Sequence, residues 1–419
     1  MRVLVLGSGA REHTIAWMFA KSKRISGLYI APGNAGTEEL GENLTDISPD
    51  DIESVIRVCR EKDINHVFVG PEAPLAAGII DQLNEEGIPA LGPHQKAARL
   101  ESSKTFSKQF FFRHNIPTAD AMEFSNVRDF EKYIKTSSGK LVIKKNGLAS
   151  GKGVLESDET DKLLKFGKSI LKDDTLLVEE FLEGWEISMF TFTDGKHYLM
   201  MPACADYKKA GDGDTGLNTG GMGAICPVPF VTAALKEQIE KTIVKPTFRG
   251  IDEEGLSFKG ALYFGLMITE DGPKLLEYNV RLGDPETQVL LPLIQSDFGN
   301  LSDAIIQGTL DSFPLRISDN SAVGVVIASG GYPGKYEKMI PVDLPEEINN
   351  ETFTFHASTV KKNNRVHING GRCFTVVGTG SDIIKAYTRA YEAVPAISFK
   401  NSWYRSDIGK KFFYDSPQE

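Results

Sequence analysis

Residues 258–286 read FKGALYFGLMITEDGPKLLEYNVRLGDPE, and the part of this stretch up to Val280 is predicted to form a β-hairpin. Two apolar segments flank Asp271-Gly272, a dipeptide that is typical of tight hairpin turns. Glu277 and Asn279 are two residues apart in the second strand, so their side chains are expected on the same face. A carboxylate and an amide oxygen suit Mg²⁺, which takes oxygen ligands and completes its shell with water and phosphate. The alternative is an ordinary strand that runs into a charged turn.

The length and composition of the chain limit the possible classes of protein. A chain of 419 residues indicates roughly two to four domains. Its formal net charge of −10 argues against nucleic acid or an anionic membrane as a partner. The cysteines are scattered without a C-x-x-C pair, which is typical of a reducing cytosol. The sequence shows no signal peptide and no apolar segment of the roughly 20 residues that a membrane-spanning helix needs. A cytoplasmic location is therefore expected.

The N-terminal part alternates short apolar segments with amphipathic ones over about the first hundred residues, a pattern typical of parallel strands joined by helices. We therefore predict a Rossmann-like α/β domain. Ligands bind such sheets beyond the carboxyl ends of the strands, where the loops GSGAREH, APGNAGT and VGPEAPL are expected. The first loop has Glu12 where the dinucleotide motif needs its third glycine. This argues against the alternative of a nicotinamide-dependent oxidoreductase.

The central part contains lysines and a glycine-rich loop. One long helix is predicted over residues 93–115, with Lys104 in its middle, and the strand LVIKK places Lys144 and Lys145 on opposite faces. The next loop, NGLASGKGV, is not a Walker A motif, because three residues instead of four separate Gly147 from the Gly-Lys pair. Its composition suits a flap that closes on phosphates. A flexible hairpin tip is the alternative.

Two further stretches carry candidate binding residues. The passage LLVEEFLEGWEISMF is predicted to be strand, turn and strand, with carboxylates that suit a ribose or, alternatively, protect an exposed strand edge. Residues 205–227 are predicted to form a long substrate-binding loop, because loops longer than about 15 residues in compact domains are usually functional or disordered. The C-terminal residues contain their own strands and a helix and are predicted to form a small α+β domain.

Taken together, the motifs resemble the glycinamide ribonucleotide synthetase family of the ATP-grasp superfamily. The resemblance extends, in order, through VLVLGSGAREH, APGNAGT, VGPEAPL, LESSK, KKNGLASGKGV, VEEFLEGWE, NTGGMGA, EYNVRLGDPE, SGGYPGKY and YRSDIG. The expected division is an N-terminal domain at 1–100, an ATP-grasp region at 101–325 with a small mobile subdomain at about 121–190, and a C-terminal domain at 326–419. The resemblance is to the monofunctional form of the enzyme, not to the form that is fused to other enzymes.

The resemblance implies a ligase of purine biosynthesis. Its reaction joins glycine to 5-phosphoribosylamine with ATP and gives glycinamide ribonucleotide, ADP and phosphate. Transfer of the γ-phosphoryl group to glycine gives glycyl phosphate, which the amine attacks. Phosphoryl transfer of this kind depends on positioning and charge neutralisation more than on a covalent nucleophile. ATP, with Mg²⁺ or Mn²⁺, is the implied cofactor, and a monomer is expected.

The resemblance also implies roles for individual residues. The implied catalytic residues are Arg281, Asp214 and Asn218. The implied metal ligands are Glu277 and Asn279. The residues implied in nucleotide binding are Lys104, Lys144, Gly147, Gly151, Lys152, Gly153, Glu179, Glu180, Phe181, Leu182 and Glu186. The residues implied in substrate binding are Gly9, Asn34, Glu72, Asp206, Thr219, Gly220, Gly221, Met222 and Arg372.

Four positions depart from the family pattern, namely Ala10, Asn146, Leu217 and Ser358. The strand before Glu277 also has no carboxylate, which leaves the ligands of a second metal open. Another ATP-grasp carboxylate–amine ligase remains an alternative that would share the nucleotide residues but lack GPEAPL and NTGGMGA. A non-catalytic nucleotide sensor is a further alternative, although it would have no need of the metal ligands.

Overall fold

The computed structural model describes residues 1–148, 153–345 and 351–413. The strands of these residues form sheets of nine, five, four, three and two strands. Within the same residues, no helix is both long enough and apolar enough to cross a membrane. The predicted multidomain architecture of α/β and α+β parts is confirmed.

The N-terminal part is a parallel sheet flanked by helices. Its elements in chain order are β1 (Arg2–Gly7), α1 (Ala10–Ala20), β2 (Gly27–Pro32), β3 (Glu42–Asn43), α2 (Ile52–Glu61), β4 (His66–Val69), α3 (Glu72–Ala76), α4 (Ile79–Glu85), β5 (Ala90–Pro93), α5 (Gln95–Ser102) and α6 (Lys104–Arg113). β1 pairs in parallel with β2 and β4, and β4 pairs in parallel with β5. These strands are largely apolar and buried, as expected of a parallel sheet covered by helices. The predicted Rossmann-like arrangement is confirmed.

The single helix predicted over residues 93–115 is wrong, because α5 and α6 are separate helices. Ser103 between them has an extended backbone, with φ −136° and ψ 104°. Its hydroxyl oxygen accepts a hydrogen bond from the Phe106 N–H at 3.3 Å and caps α6. The break places Glu101 in the last turn of α5 and Lys104 in the first turn of α6.

A small antiparallel sheet follows, with its own hydrophobic core. Its elements are β6 (Ala121–Phe124), α7 (Val127–Thr136), β7 (Leu141–Lys145), β8 (Val154–Ser157), α8 (Thr160–Ile170) and β9 (Leu176–Glu180). The strand order is β6-β9-β7-β8, and α7 and α8 pack on the sheet through Phe130, Ile134 and Leu163. The sequence places the end of this unit at about residue 190, whereas its sheet ends with β9.

The predicted hairpin at residues 258–280 is confirmed. The elements of this part are β10 (Trp185–Thr193), β11 (Tyr198–Met200), β12 (Ala205–Asp206), β13 (Lys209–Gly211), β14 (Thr215–Asn218), β15 (Gly223–Cys226), α9 (Ala233–Ile239), α10 (Lys245–Glu253), β16 (Phe258–Thr269), β17 (Gly272–Asn279), α11 (Glu286–Leu290) and α12 (Phe298–Gln307). β16 and β17 are antiparallel, and their register shifts between Gly265 and Leu266. Leu276 is the extra residue of this β-bulge, a feature that redirects side chains near active sites.

β16 connects the two halves of the nine-stranded sheet. One edge pairs with β10. The other edge pairs first with β5, where Phe258 faces Pro93 and Lys259 faces Gly92, and farther along with β17. The parallel N-terminal strands and the hairpin are therefore parts of one continuous sheet.

The C-terminal part is built around a five-stranded antiparallel sheet. Its elements are β18 (Ser321–Ala328), β19 (Ile340–Pro341), β20 (Thr352–His356), β21 (Thr359–Lys362), β22 (Arg365–Ile368), β23 (Arg372–Gly380) and α13 (Ile383–Ala393). The sheet order is β12-β15-β18-β23-β20. The irregular loop predicted at residues 205–227 is therefore wrong, because this stretch contains four short strands, two of which belong to this sheet. Strands of two to four residues carry little periodicity, and β15 pairs with β18, about a hundred residues later.

We expect Gly167→Ala to loosen the small sheet. A Cβ atom at Gly167 would lie 2.1 Å from Cζ of the buried Phe130 ring. Such overpacking costs about 1–3 kcal/mol, because α8 must move away from α7. Hydrogen exchange measured by mass spectrometry should become faster in β6, β7 and β9 and stay unchanged in β1 and β4. Ser169→Ala, at an exposed position of the same helix, is the control and should leave both regions unchanged.

Candidate active site

A buried carboxylate holds two lysines together at the end of β9. Glu179 is 3% exposed. Its Oε1 lies 3.0 Å from Lys108 Nζ, and its Oε2 lies 2.8 Å from Lys144 Nζ. Burial by itself raises the pKa of Glu179, but the two lysines outweigh this effect and the pKa is lowered. Glu179 is therefore a carboxylate that pairs with two buried ammonium groups. At Lys108 burial outweighs Glu179, and the pKa of this lysine is lowered.

Lys144 also contacts the hairpin, whereas the side chain of Lys145, the next residue, points away from it. Lys144 Nζ donates a hydrogen bond to the Leu276 carbonyl oxygen at 3.4 Å. Burial lowers its pKa, but its Glu179 partner outweighs burial and the pKa is raised. Lys145 Nζ lies 3.9 Å from Asp174 Oδ2 instead. The two lysines point in opposite directions, as the alternation of side chains along a strand predicts.

Glu277 and Asn279 lie on one face of β17, beyond the bulge. One terminal atom of the Asn279 amide lies 3.1 Å from Glu101 Oε1 and 3.2 Å from the Tyr278 carbonyl oxygen. Both neighbours are acceptors, so this atom is assigned as the nitrogen, which donates to them. Because an amide nitrogen has only two N–H groups, the Asn279 oxygen is the group that remains for a further ligand. Burial lowers the pKa of Lys104, and the nearby Glu277 carboxylate offsets part of this shift.

Two carboxylates surround Arg281, which follows β17. Its Nη2 lies 2.9 Å from Glu101 Oε1, and its Nε lies 3.5 Å from Glu72 Oε2. Burial lowers the pKa of Arg281, but Glu101 and Glu72 outweigh this effect and the pKa is raised. Nη1 donates to the Leu282 carbonyl at 3.1 Å. Among the described residues, Arg281 Nε has no hydrogen-bond partner.

A second arginine connects the two loops that end at the site. Arg372 Nη1 donates to the carbonyl oxygens of Gly220 at 2.6 Å and Asp284 at 3.1 Å. Its Nη2 lies 3.2 Å from Asp284 Oδ2. Arg11 reaches the same segment from α1 and donates to the Leu282 carbonyl at 3.2 Å. Burial raises the pKa of Asp284, but Arg372 and Arg11 outweigh it and the pKa is lowered.

Three carboxylates lie at the start of β10 and beside it, and Glu286 among them is buried. Glu186 forms an ion pair with Lys208. Burial raises the pKa of Glu286 to about 7, and the Asp206 carboxylate acts in the same direction. Glu286 Oε1 accepts a hydrogen bond from Ser188 Oγ at 3.0 Å. Within the described part of the chain, no Lys, Arg or His forms an ion pair with Glu286.

Residues 219–222 have a backbone held by several hydrogen bonds. Thr219 donates to the Lys208 carbonyl through its N–H at 2.7 Å and its hydroxyl at 2.9 Å. The Gly221 N–H donates to the Thr219 hydroxyl at 3.0 Å. Met222 is fully buried, and its N–H donates to the Tyr207 carbonyl at 2.7 Å. The predicted substrate loop is therefore an ordered part of the protein.

Two predicted catalytic residues lie apart from Arg281. Asp214 is in the turn between β13 and β14, where its Oδ1 lies 2.8 Å from Arg405 Nη1 and its Oδ2 3.8 Å from Lys411 Nζ. Asn218 is exposed at the end of β14. Among the described contacts, none connects either residue to Arg281.

Two predicted substrate residues already have partners within the protein. The Gly9 N–H donates to Glu12 Oε2 at 2.7 Å. Asn34 is buried, and its amide donates to the carbonyl oxygens of Ser8 and His356, each at 2.9 Å. Asn34 therefore joins the loop after β1 to the C-terminal part.

The predicted flap is described only at its two ends. The Lys145 N–H donates to the Gly153 carbonyl at 2.8 Å, which closes the base of the loop. Gly147 stands at the other end. Gly151 and Lys152 lie outside the described residues.

The predicted adenine segment follows β9. Glu180 is exposed, and its Oε1 accepts a hydrogen bond from the Asp120 N–H at 3.1 Å. Lys140 Nζ lies 3.5 Å from the centre of the Phe181 ring. Leu182 is buried. This segment connects the small sheet to the nine-stranded sheet.

Sequence reasoning missed several charged residues of the site. Lys108 is four residues after Lys104, a spacing that puts both on one side of a helix, so the sequence did carry a signal for it. Glu101, Arg11 and Lys208 were missed because their partners are remote in sequence. No local pattern marks such pairs.

Three sequence profiles of one family match the chain. The profile of the phosphoribosylglycinamide synthetase N domain matches residues 1–101. The profile of the ATP-grasp (A) domain of the same family matches residues 102–287, and the profile of its C domain matches residues 322–411. The chain belongs to the phosphoribosylglycinamide synthetase family. The resemblance predicted from the order of the motifs is thus confirmed.

The chain is similar to relatives of about its own length and also to much longer ones. The phosphoribosylamine–glycine ligase of Rhizobium meliloti (strain 1021) is 43% identical over 418 residues, which cover 98% of each chain. The trifunctional purine biosynthetic protein adenosine-3 of Gallus gallus is 43% identical over 97% of this chain and 42% of its own length. The chain also spans 54% of the bifunctional purine biosynthetic protein PUR2,5 of Pichia angusta.

Solved structures agree with the family assignment. The phosphoribosylamine–glycine ligase of Thermotoga maritima superposes with a TM-score of 0.86 at 34% identity, over 97% of this chain and all of that chain. A biotin carboxylase of Campylobacter jejuni superposes with a TM-score of 0.75 at 12% identity, over 99% of this chain and 95% of that chain. The second similarity shows a shared fold alone.

We expect Glu179→Gln to destabilise the protein strongly. The variant leaves Lys108 and Lys144 buried without their carboxylate, and breaking such a buried pair costs about 3–5 kcal/mol. Urea unfolding at pH 7 measures this loss. Because the pKa of Glu179 is lowered on folding, its contribution is complete above its ordinary pKa of 4.5 and disappears as the pH falls further. The difference between the variant and the wild type should therefore narrow below pH 4.5.

The matched control is Glu180→Gln, at the exposed neighbouring position. It should change the free energy of unfolding by no more than about 0.5 kcal/mol. Equal effects of the two variants would contradict the ion-pair assignment.

Proposed function

We propose that this chain ligates glycine to 5-phosphoribosylamine with ATP and releases glycinamide ribonucleotide, ADP and phosphate. The observation that carries the proposal is the match to the Rhizobium meliloti ligase, because it covers 98% of both chains at 43% identity. A relative with one activity is thus similar to this chain from end to end. The buried lysines and arginines of the site support an anionic substrate in an acidic protein.

The residues of the site fit a nucleoside triphosphate with a divalent metal. Lys104 and Lys144 lie near the Glu277 carboxylate, so phosphates beside them would meet positive charge. Within the described residues, no three His, Cys, Asp or Glu side chains are grouped to hold a metal. Two oxygen ligands, Glu277 and Asn279, suit Mg²⁺ that takes its other ligands from phosphate and water. Bound there, the metal would neutralise charge on the phosphates.

The remaining roles follow from the order of bond changes. A glycine carboxylate oxygen bonds to the γ-phosphorus as the bond to ADP breaks. The amine nitrogen of 5-phosphoribosylamine then bonds to the acyl carbon, the bond to phosphate breaks, and the nitrogen loses a proton. Arg281 is suited to hold the negative charge of the transferred phosphoryl group, because its guanidinium is always charged and its side chain is only 16% exposed. Glu72, in contact with Arg281, is proposed to bind the ribose.

The proposal includes the other residue roles and the general properties implied by the resemblance. We propose a domain division at 1–100, 101–325 and 326–419, with the small sheet as the mobile part. We also propose Mg²⁺ as the metal, a monomeric state and a location in the cytoplasm.

An omission assay tests the reaction. ADP release is measured with ATP, Mg²⁺, glycine and freshly made 5-phosphoribosylamine, and each component is left out in turn. We expect ADP only when both glycine and the amine are present. ADP release that is the same without 5-phosphoribosylamine, or that follows another amine equally well, would contradict the proposed substrates.

We expect Glu277→Gln to lower kcat by at least about 10²-fold, by analogy with the loss of one electrostatic stabiliser. The side chain is at a half-buried strand position, so the fold should be retained, and the melting temperature checks this. Glu270→Gln, in the exposed turn of the same hairpin, is the control and should keep full activity. Near wild-type turnover of Glu277→Gln at saturating Mg²⁺ would contradict the metal-ligand role.

A further inference from the structure

One buried carboxylate contacts three consecutive residues at the end of β17. Glu101, in the last turn of α5, has a side chain that is 7% exposed. Its Oε2 accepts a hydrogen bond from the Val280 N–H at 2.8 Å. Its Oε1 lies 2.9 Å from Arg281 Nη2 and accepts from the Asn279 amide at 3.1 Å. A single side chain therefore holds the strand end that carries the site.

The contact with Asn279 decides which atom of that amide faces the site. A carboxylate accepts hydrogen bonds and cannot donate them, so it selects the amide nitrogen. The Asn279 oxygen is then directed away from Glu101, and oxygen is the atom that a hard divalent cation requires. Without Glu101 the amide would lose one of the two acceptors that set its orientation.

The contact with Arg281 has a similar effect on the guanidinium. Glu101 and Glu72 together leave that group few alternative positions, because both carboxylates lie on its Nε and Nη2 side. Arg281 is therefore ordered before any phosphate arrives. A preorganised charge needs no rearrangement during the reaction, which makes it more effective than a mobile one.

We propose that Glu101 is a positioning residue that orients the Asn279 oxygen toward the metal and the Arg281 guanidinium toward the transferred phosphoryl group. This inference rests on the proposed function of the same site. Glu101 acts through its two neighbours and touches neither metal nor substrate. A purely structural role, the satisfaction of the Val280 N–H, is the alternative that the experiment must exclude.

Binding of a non-hydrolysable ATP analogue, the β,γ-imido compound, provides a readout that does not depend on turnover. Its affinity is measured by calorimetry with and without Mg²⁺, and the ratio of the two values gives the coupling between metal and nucleotide. We expect Glu101→Gln to reduce this coupling by at least about tenfold, which corresponds to about 1.4 kcal/mol. The Mg²⁺ concentration for half-maximal rate should rise by a similar factor.

A reciprocal exchange provides the decisive variant. In the double variant Glu101→Gln with Asn279→Asp, the amide and the carboxylate trade places, so one hydrogen bond between positions 101 and 279 is retained and position 279 still offers oxygen. We expect the double variant to recover part of the Mg²⁺ coupling that each single variant loses. Coupling losses that simply add in the double variant would overturn the proposal. If Glu101→Gln alone does not fold, the double variant is compared with Asn279→Asp, and a Mg²⁺ coupling no greater than that of Asn279→Asp would overturn the proposal.

Glu254→Gln is the control for a structural role. Glu254 pairs with Arg113 and His114 through Oε1 distances of 2.8 Å, so its loss should lower stability. It should leave the Mg²⁺ coupling unchanged. If Glu101→Gln lowers the melting temperature but keeps the coupling between Mg²⁺ and the nucleotide, the positioning role is overturned. Failure of the wild type to release ADP in the omission assay would instead contradict the proposed function, and the calorimetric result would stand separately.

Discussion

The edge of β16 is the constraint on which the rest of the structure depends. This strand has twelve residues, and one of its edges pairs with β5 at one end and with β17 along the remainder. The N-terminal parallel strands and the hairpin must therefore meet at one place. The bulge at Leu276 lies just before Glu277, so Glu277, Asn279 and Arg281 come at the point where α5, β7 and β17 converge.

The buried charges of this junction are compatible with stability because nearly all have partners. The chain has a net charge of −10, so positive charge at the site must be gathered locally. Glu179 pairs with Lys108 and Lys144, and Glu101 and Glu72 pair with Arg281. An isolated buried charge would be neutralised by a pKa shift. The same pairs order the side chains before a ligand binds, which links the stability of the site to its function.

Charged side chains connect both the small sheet and the C-terminal sheet to this junction. Lys144 crosses from β7 to the Leu276 carbonyl. Arg372 joins β23 to the segments of Gly220 and Asp284. Each of these connections is a charged side chain bonded to backbone carbonyl groups. The C-terminal sheet also shares an apolar core with the N-terminal part through Phe355 and Val377. The small sheet has a hydrophobic core of its own, which is compatible with the proposed movement of this sheet as a unit.

Local patterns in the sequence determined the elements whose information is short in range. The parallel strands, the hairpin with its Asp271-Gly272 turn, and the shared face of Glu277 and Asn279 depend on a period of two residues and on turn chemistry. The order of the motifs determined the family. Each motif lies within a few neighbouring residues and the order of the motifs is read directly along the chain, so the sequence alone was sufficient.

Only the tertiary structure decided the rest. The helix predicted over residues 93–115 is divided by the capping of Ser103, and residues 205–227 form strands because β18 offers an edge to β15. The partners of Glu101 and Glu179 are likewise chosen by packing between elements that are remote in the chain. A buried charge needs a partner, but the sequence does not state which one, because proximity in space depends on the complete arrangement of sheets and helices.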